Sequence, residues 1–209
     1  CRTNIESSEL MDAQQRSFRL VKDYKIILAS NSPRRKELLG GLGLDFEVRT
    51  LQGIDESYPA ELVGEDIPIY ISGQKAKAYR QSMSDDEMVI TADTIVYDDG
   101  AVLGKPQDRD DAIAMLSRLS GHAHDVITGV SIVTKEKTVQ FASTSKVYFA
   151  DLTDEEIAYY VDNFKPFDKA GAYGIQEWIG YVGVSRIEGS YFNVMGLPIQ
   201  KLYTELKKF

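Results

Sequence analysis

Cysteine is almost missing from this chain: the only one is Cys1. No disulfide framework is available to staple the fold, so a reducing compartment, the cytoplasm, is expected. A single thiol also cannot build a structural metal site. Proline is sparse, at 6 of 209 residues, and the 16 glycines follow no repeat, which excludes collagen-like and low-complexity architectures. No apolar run approaches the ~18 residues that a membrane span requires. Positive charge is in deficit, with 24 Lys and Arg against 32 Asp and Glu and a net charge of -8. So acidic a surface is a poor footprint for duplex nucleic acid, which is not expected as a partner. A small anionic substrate is not barred, because it feels chiefly the charges lining its own pocket.

What is present is material for a packed core. The chain is 43% hydrophobic, 10% aromatic and 27% charged, with a mean hydropathy of -0.26. That length and apolar fraction support one domain or two small lobes and exclude a disordered chain. Residues 1–20 are polar, lack periodicity and carry no apolar h-region. They are expected to be an N-terminal extension, an expression or annotation artefact rather than an intact signal peptide, with Met11 a candidate natural start. Residues 21–209 are expected to form the single functional domain.

Within that domain the pattern alternates between strand and helix. Residues 24–29 form an apolar run of strand type, and Ser32 followed by Pro33 opens a helix whose buried stripe is Leu38, Leu39 and Leu42. Gly40, Gly41 and Gly43 end it. Residues 45–51 read as a second strand, 53–59 as an acidic loop, 65–82 as a helix and 88–97 as a buried strand. The Asp98-Asp99-Gly100 turn and residues 101–103 close a hairpin. A helix is expected over 108–119, and a hairpin over 124–134 and 138–150. Thr153 with Glu156 forms a capping box. A Gly-rich loop over 168–176, a strand over 181–187 and a closing helix from Pro198 complete the reading. The expected class is α/β, a mixed twisted sheet with flanking helices.

Four places carry more polar chemistry than such a fold needs. In Ser30-Asn31-Ser32-Pro33-Arg34-Arg35 a strand delivers hydroxyls into a helix N-terminus, where free N–H groups and the helix dipole favour an anion. Two arginines in that first turn oppose the dipole, which makes sense if a phosphate shares the site; the plainer alternative is a capped helix with two solvated arginines. In Thr91-Ala92-Asp93-Thr94, alternation puts Val89, Thr91, Asp93 and Ile95 on one face and Ile90, Ala92, Thr94 and Val96 on the other. An unpaired carboxylate there is costly, so Asp93 is expected to be neutral, hydrogen-bonded or bound to metal. It serves either as a base or metal ligand facing a cleft, or as a structural cap.

Lysines beside turns form the third set: Lys75, Lys105 in Gly104-Lys105-Pro106, and Lys169. Lys105 belongs to no Walker loop, and each alone reads as a surface lysine, Lys77 above all. The fourth is Asp168-Lys169-Ala170-Gly171-Ala172-Tyr173-Gly174-Ile175-Gln176, whose small residues let a ligand reach the backbone and whose Gln176 carries both acceptor and donors. The alternative is a plain tight loop. His122 and His124 share a strand face but lack a further soft ligand, so structural hydrogen bonds are expected of them. The single Trp178 either stacks on a ligand or packs in the core.

Taken together, these residues resemble the Maf (septum formation) family of nucleotide pyrophosphatases. The resemblance rests on the 30–35, 92–94, 104–106 and 168–176 segments. Leu119-Ser120-Gly121, Thr128-Gly129-Val130 and Asn193-Val194-Met195-Gly196-Leu197-Pro198 carry it further. It covers nearly all of the chain beyond the extension. The combination of Arg34, Thr94 and Gln176 is similar to the branch acting on dTTP and UTP. Three departures stand out: Thr91 where glycine is usual, Glu177-Trp178 in place of glycine after the glutamine, and Ser72-Gly73 inside a helix.

The resemblance implies a two-lobed, inosine-triphosphatase-like fold with the site in a central cleft, and often a homodimer. It implies hydrolysis of a nucleoside triphosphate to monophosphate and pyrophosphate with Mg²⁺ or Mn²⁺, in the service of clearing modified nucleotides or of division arrest. On that reading Asp93 is the proton acceptor and, with Glu56, a metal ligand. Ser32, Arg34, Arg35, Lys75, Thr94, Lys105, Lys169 and Gln176 hold the substrate. A non-catalytic nucleotide-binding regulator of cell division stays open beside it. A nucleotidyltransferase would need a second pocket that no motif supplies.

Overall fold

The computed structural model describes residues 20–209. Cys1, Met11 and nearly all of the polar extension lie outside the described residues. Among those described, seven strands form one sheet in the order β2-β1-β3-β5-β6-β7, with β4 paired to β3. The strands are β1 Lys25–Leu28, β2 Phe46–Val48, β3 Glu87–Asp98, β4 Ala101–Leu103, β5 Ala123–Val133, β6 Thr138–Phe149 and β7 Val184–Glu188. β1 runs parallel to both β2 and β3, whereas every other pairing is antiparallel. The sheet is therefore mixed, as the interleaving of strands and helices in the sequence predicts.

The helices are α1 Pro33–Gly40, α2 Asp66–Arg80, α3 Arg109–Leu119, α4 Asp154–Phe164, α5 Trp178–Gly183, α6 Tyr191–Met195 and α7 Ile199–Leu206. Local chemistry explains their ends. Ser32 caps α1 by accepting from the Arg35 N–H, Asp108 caps α3 through Asp111, and Thr153 and Glu156 form the reciprocal capping box of α4. Gly196, at φ 127°, ends α6, a conformation that glycine adopts at least cost.

Helices cover both faces of the sheet. On one, Ile26, Leu28, Ile90 and Val130 pack with Leu39 of α1 and Leu202 and Leu206 of α7. Farther along the strands a second body of core joins Leu116 and Leu119 of α3, Ile157 and Tyr160 of α4, and Ile179 of α5. The opposite face receives α2, whose Ile67, Ile71 and Ala76 lie over Ile27, Val89, Ile95 and Ile127. Its approach is so close at Gly129 that a β-carbon there would collide with the Pro68 and Ile69 backbone.

Two expectations need correction. The strand expected over 181–187 begins only at Val184, because residues 178–183 coil into α5. Tertiary packing overrides the β-like composition of Tyr181 and Val182: Ile179 is fully buried and Trp178 sits edge-on to Tyr159 at 4.8 Å. The short α6 is also additional to the expected elements. Its signals were Ser190, which accepts from the Asn193 N–H, and Gly196 at its end.

Candidate active site

The site begins with a gap in the sheet. β1 accompanies β3 only from Glu87 to Ile90, and β4 accompanies it only from Val96 to Asp98. Between these partners one edge of β3 is open, and Ala92, Asp93 and Thr94 lie there. A place where neighbouring strands part in this way is where open α/β sheets make their crevices. A cleft of about 840 Å³ occupies it, within the size range of small-molecule sites. Ser32, Arg34, Arg35, Glu56, Lys75, Asp93, Thr94, Lys105, Lys169 and Gln176 all line this one cleft. The structure thus gathers these ten candidates from six separate segments of sequence.

Asp93 faces α2, as strand alternation requires. Lys75 Nζ on that helix stands 3.4 Å from Asp93 Oδ1 and 3.3 Å from Glu56 Oε1. It also donates to the Ala92 carbonyl at 3.2 Å, a group that no strand partner claims. Asp93 Oδ2 is buried without a hydrogen-bond partner among the described residues. Burial pushes the Asp93 carboxyl up from its ordinary value, against the pull of Lys75 and Arg35, and the nearby Glu56 charge adds to the rise. A buried, unpartnered carboxylate oxygen asks for a proton, a water or a cation.

Among the described residues no three His, Cys, Asp or Glu side chains converge as a self-sufficient metal cage. Glu56 and Asp93 are nonetheless a pair of hard oxygen donors on one lysine. That set fits a cation of the Mg²⁺ type, which is commonly bound by one or two carboxylates together with substrate phosphates.

Across the cleft lies the N-terminus of α1, whose first turn holds no acidic residue. Arg34 is partly exposed and lines the opening. Arg35 is turned inward, with Nε donating to the Gly196 carbonyl at 2.8 Å and Nη2 to Thr94 Oγ1 at 3.0 Å. Burial lowers its pKa while the Asp93 charge opposes the fall; a guanidinium stays charged regardless.

The third wall is the loop from Asp168 to Gln176, tied to the Lys105 turn by Gly171 N–H to the Gly104 carbonyl at 3.1 Å. Gly171, at φ 68°, leans on Val96, so a side chain there would collide. Gln176 Oε1 is buried and has no hydrogen-bond partner among the described residues. Lys169 is in the cleft, but it already meets Asp168 at 3.0 Å and Glu177 at 3.1 Å. It is therefore charge-paired, as Lys75 is.

The remaining candidates fall outside. His124 donates to or accepts from Tyr173 Oη at 2.6 Å, and burial lowers its pKa to about 4. His122 meets Asp98 at 3.3 Å, and Lys77 is exposed on α2. Two of the departures from the family pattern answer each other: Thr91 Oγ1 donates to the Ser72 carbonyl at 2.7 Å, fastening α2 to β3. Segments 128–130 and 193–198 have no role that the sequence alone assigns, although Gly196 touches Arg35 directly.

Comparison with known proteins places this geometry. The Maf-like protein family model matches residues 25–209. A protein of Parabacteroides distasonis named dTTP/UTP pyrophosphatase is 61% identical over 189 residues, covering 90% of this chain and 98% of its own. Proteins of the same name from Phocaeicola vulgatus and Flavobacterium psychrophilum are 62% and 51% identical, covering 90% and 87% of this chain and 97% and 93% of their own. Among solved structures, the Ham1 protein of Staphylococcus aureus shares the fold at a TM-score of 0.50 and 17% identity, over 88% of this chain and 98% of that one.

Proposed function

This chain belongs to the Maf-like protein family, and we propose that it hydrolyses dTTP and UTP to the monophosphate and pyrophosphate, with residues 21–209 acting as one domain in the cytoplasm. The observation that carries the chemistry is Asp93 in the gap of β3, with one oxygen near Lys75 and the other buried and unpartnered. The names of relatives at 51 to 62% identity support the same substrates, and they favour catalysis over a non-catalytic division regulator.

The reaction needs charge neutralisation, a positioned water and a base. Arg34, Arg35, Ser32 and the α1 N-terminus face one side of the cleft and hold the phosphates on this reading. Lys75 and Lys105 hold the departing pyrophosphate. Asp93 takes the proton of a water whose oxygen attacks the α-phosphorus, as the bond from that phosphorus to the bridging oxygen breaks. Glu56 and Asp93 would hold a divalent cation, which supplies charge neutralisation to the triphosphate when bound. Lys169, paired with Asp168 and Glu177 as Lys75 is with Glu56 and Asp93, holds substrate from the loop side of the cleft.

Base choice falls to Gln176. Uracil and thymine present an acceptor–donor–acceptor edge that a carboxamide and neighbouring backbone groups match. Cytosine replaces one acceptor with an amino donor and leaves a buried mismatch, whereas purines are excluded chiefly by size. The test compares kcat/KM for dTTP, UTP, CTP and GTP, with and without Mg²⁺, in the wild type and Gln176→Ala. The expected result is pyrophosphate release from dTTP and UTP above CTP by about 10²-fold or more, with the preference reduced in the variant. CTP or GTP as best substrate would refute the base reading, and release of orthophosphate instead of pyrophosphate would refute the reaction.

A further inference from the structure

The proposed mechanism leaves the 128–130 and 193–198 segments unused, yet both converge on Arg35. Strand register sets Thr94 of β3 directly opposite Thr128 of β5, and their hydroxyl oxygens stand 2.8 Å apart. Thr128 is fully buried, and its hydroxyl lies 3.4 Å from the Asn193 carbonyl. Toward the cleft, Thr94 Oγ1 accepts from Arg35 Nη2 at 3.0 Å.

Donor and acceptor chemistry limits the directions this row can take. A guanidinium only donates and a carbonyl only accepts. Thr94 therefore receives a proton from Arg35 and must place its own elsewhere. Its acceptors in reach are Thr128 Oγ1 at 2.8 Å and the Gly196 carbonyl at 3.5 Å. That carbonyl already receives Arg35 Nε at 2.8 Å, so the short contact to Thr128 is the better outlet. Thr128 in turn sends its proton to Asn193.

The far end of the row is anchored. Asn193 is fully buried, and its Nδ2 reaches the carbonyls of Val126 and Ser143 at 3.1 Å each and Ser145 Oγ at 3.0 Å. The orientation of Arg35 is thus referred to the interior of the sheet. Its Nη1 makes no hydrogen bond within the described residues.

We propose that Thr128 is a positioning residue for nucleotide binding: by accepting the Thr94 hydroxyl it locks Thr94 as the acceptor for Arg35, leaving Arg35 Nη1 free for a phosphate in the cleft. The proposal deepens the nucleotide reading of the site and rests on it.

The experiment measures kcat, KM for UTP and Tm in the wild type, Thr128→Val, Thr128→Ser and Thr128→Ala. The expected result for Thr128→Val is a KM raised about tenfold, the scale of one buried hydrogen bond left unmade, with a smaller change in kcat. Thr128→Ser restores KM toward wild type, because it returns the hydroxyl. A merely structural role would lower Tm and the active fraction, and hence kcat, while KM stayed put; that outcome overturns the proposal. The Ser and Ala variants both lose the methyl and differ only in the hydroxyl, so equal KM values for that pair also overturn it, even should Thr128→Val fold poorly. If the wild type hydrolyses neither UTP nor dTTP, the catalytic reading fails separately. Calorimetric UTP affinity then decides the relay: weaker binding in Thr128→Ala than in Thr128→Ser supports it, and equal binding refutes it.

Discussion

At the scale of the residue, Asp93 is held between two opposing influences. Lys75 at 3.4 Å favours its charged form, while burial disfavours it and wins. Only the deprotonated carboxylate accepts a proton or holds a cation, so activity should fall on acidification through a pKa above the ordinary 3.8. Asp93→Asn keeps the shape and removes the charge. Its kcat should drop by about 10²–10⁴-fold, the usual worth of a general base. Nucleotide affinity, read by calorimetry, should persist. Near-normal turnover in that variant would contradict the assignment of the base.

Among the elements, α2 has the most to do with the site, because it carries Lys75 over β3 and β5. Its close seat depends on Gly129, which lies beneath the Pro68 and Ile69 backbone, and on Thr91 donating to the Ser72 carbonyl. Gly129→Ala forces the helix outward. Overpacking of this kind costs about 1–3 kcal/mol, so Tm should fall by several degrees, and kcat should fall with it as Lys75 withdraws from Asp93. A fully active Gly129→Ala protein with unchanged Tm would show that the helix adapts. The helix itself was legible in the sequence, as the expected span 65–82 against the observed Asp66–Arg80. Its contact with Gly129 was not, because nothing local to residue 129 reveals which backbone lies above it. The α5 helix failed to show for the same reason: Tyr181 and Val182 look like strand until Ile179 is seen in the core.

For the whole molecule, the buried titratable groups set an acid limb of stability in two stages. His124 is held neutral, its pKa lowered by burial to about 4 from 6.5. The unfolded chain takes up that proton first, so stability present above pH 6.5 is lost as pH falls toward 4. Glu87, held to about 2 from 4.5 by its Arg49 hydrogen bonds against the opposing effect of burial, adds a second loss below pH 4.5. Asp93 acts in the opposite sense, since its raised pKa means that protonation on acidification relieves a cost. Denaturant unfolding at pH 7 and pH 5 should therefore differ, and His124→Phe should shrink that difference by about 1–2 kcal/mol. An identical pH dependence in the variant would show that His124 protonates freely in the folded state.

The sequence by itself determined the α/β class, nearly every strand and helix, and the residues that could carry phosphate chemistry. Those properties are written locally: in the Ser32–Pro33 start of α1, in the alternation that puts Asp93 and Thr94 on opposite faces, and in the capping box at Thr153. Only the tertiary structure decided how the candidates differ from one another. Lys75 is shared between Glu56 and Asp93 and Lys169 between Asp168 and Glu177, whereas Lys105 lines the cleft apart from these pairs. Those distinctions depend on which segments the sheet brings within about 3 Å, the range over which hydrogen bonds act. The row from Asn193 through Thr128 and Thr94 to Arg35 spans residues far apart in the chain. Its order arises from strand register and the return of α6 to the sheet, neither of which any single segment contains.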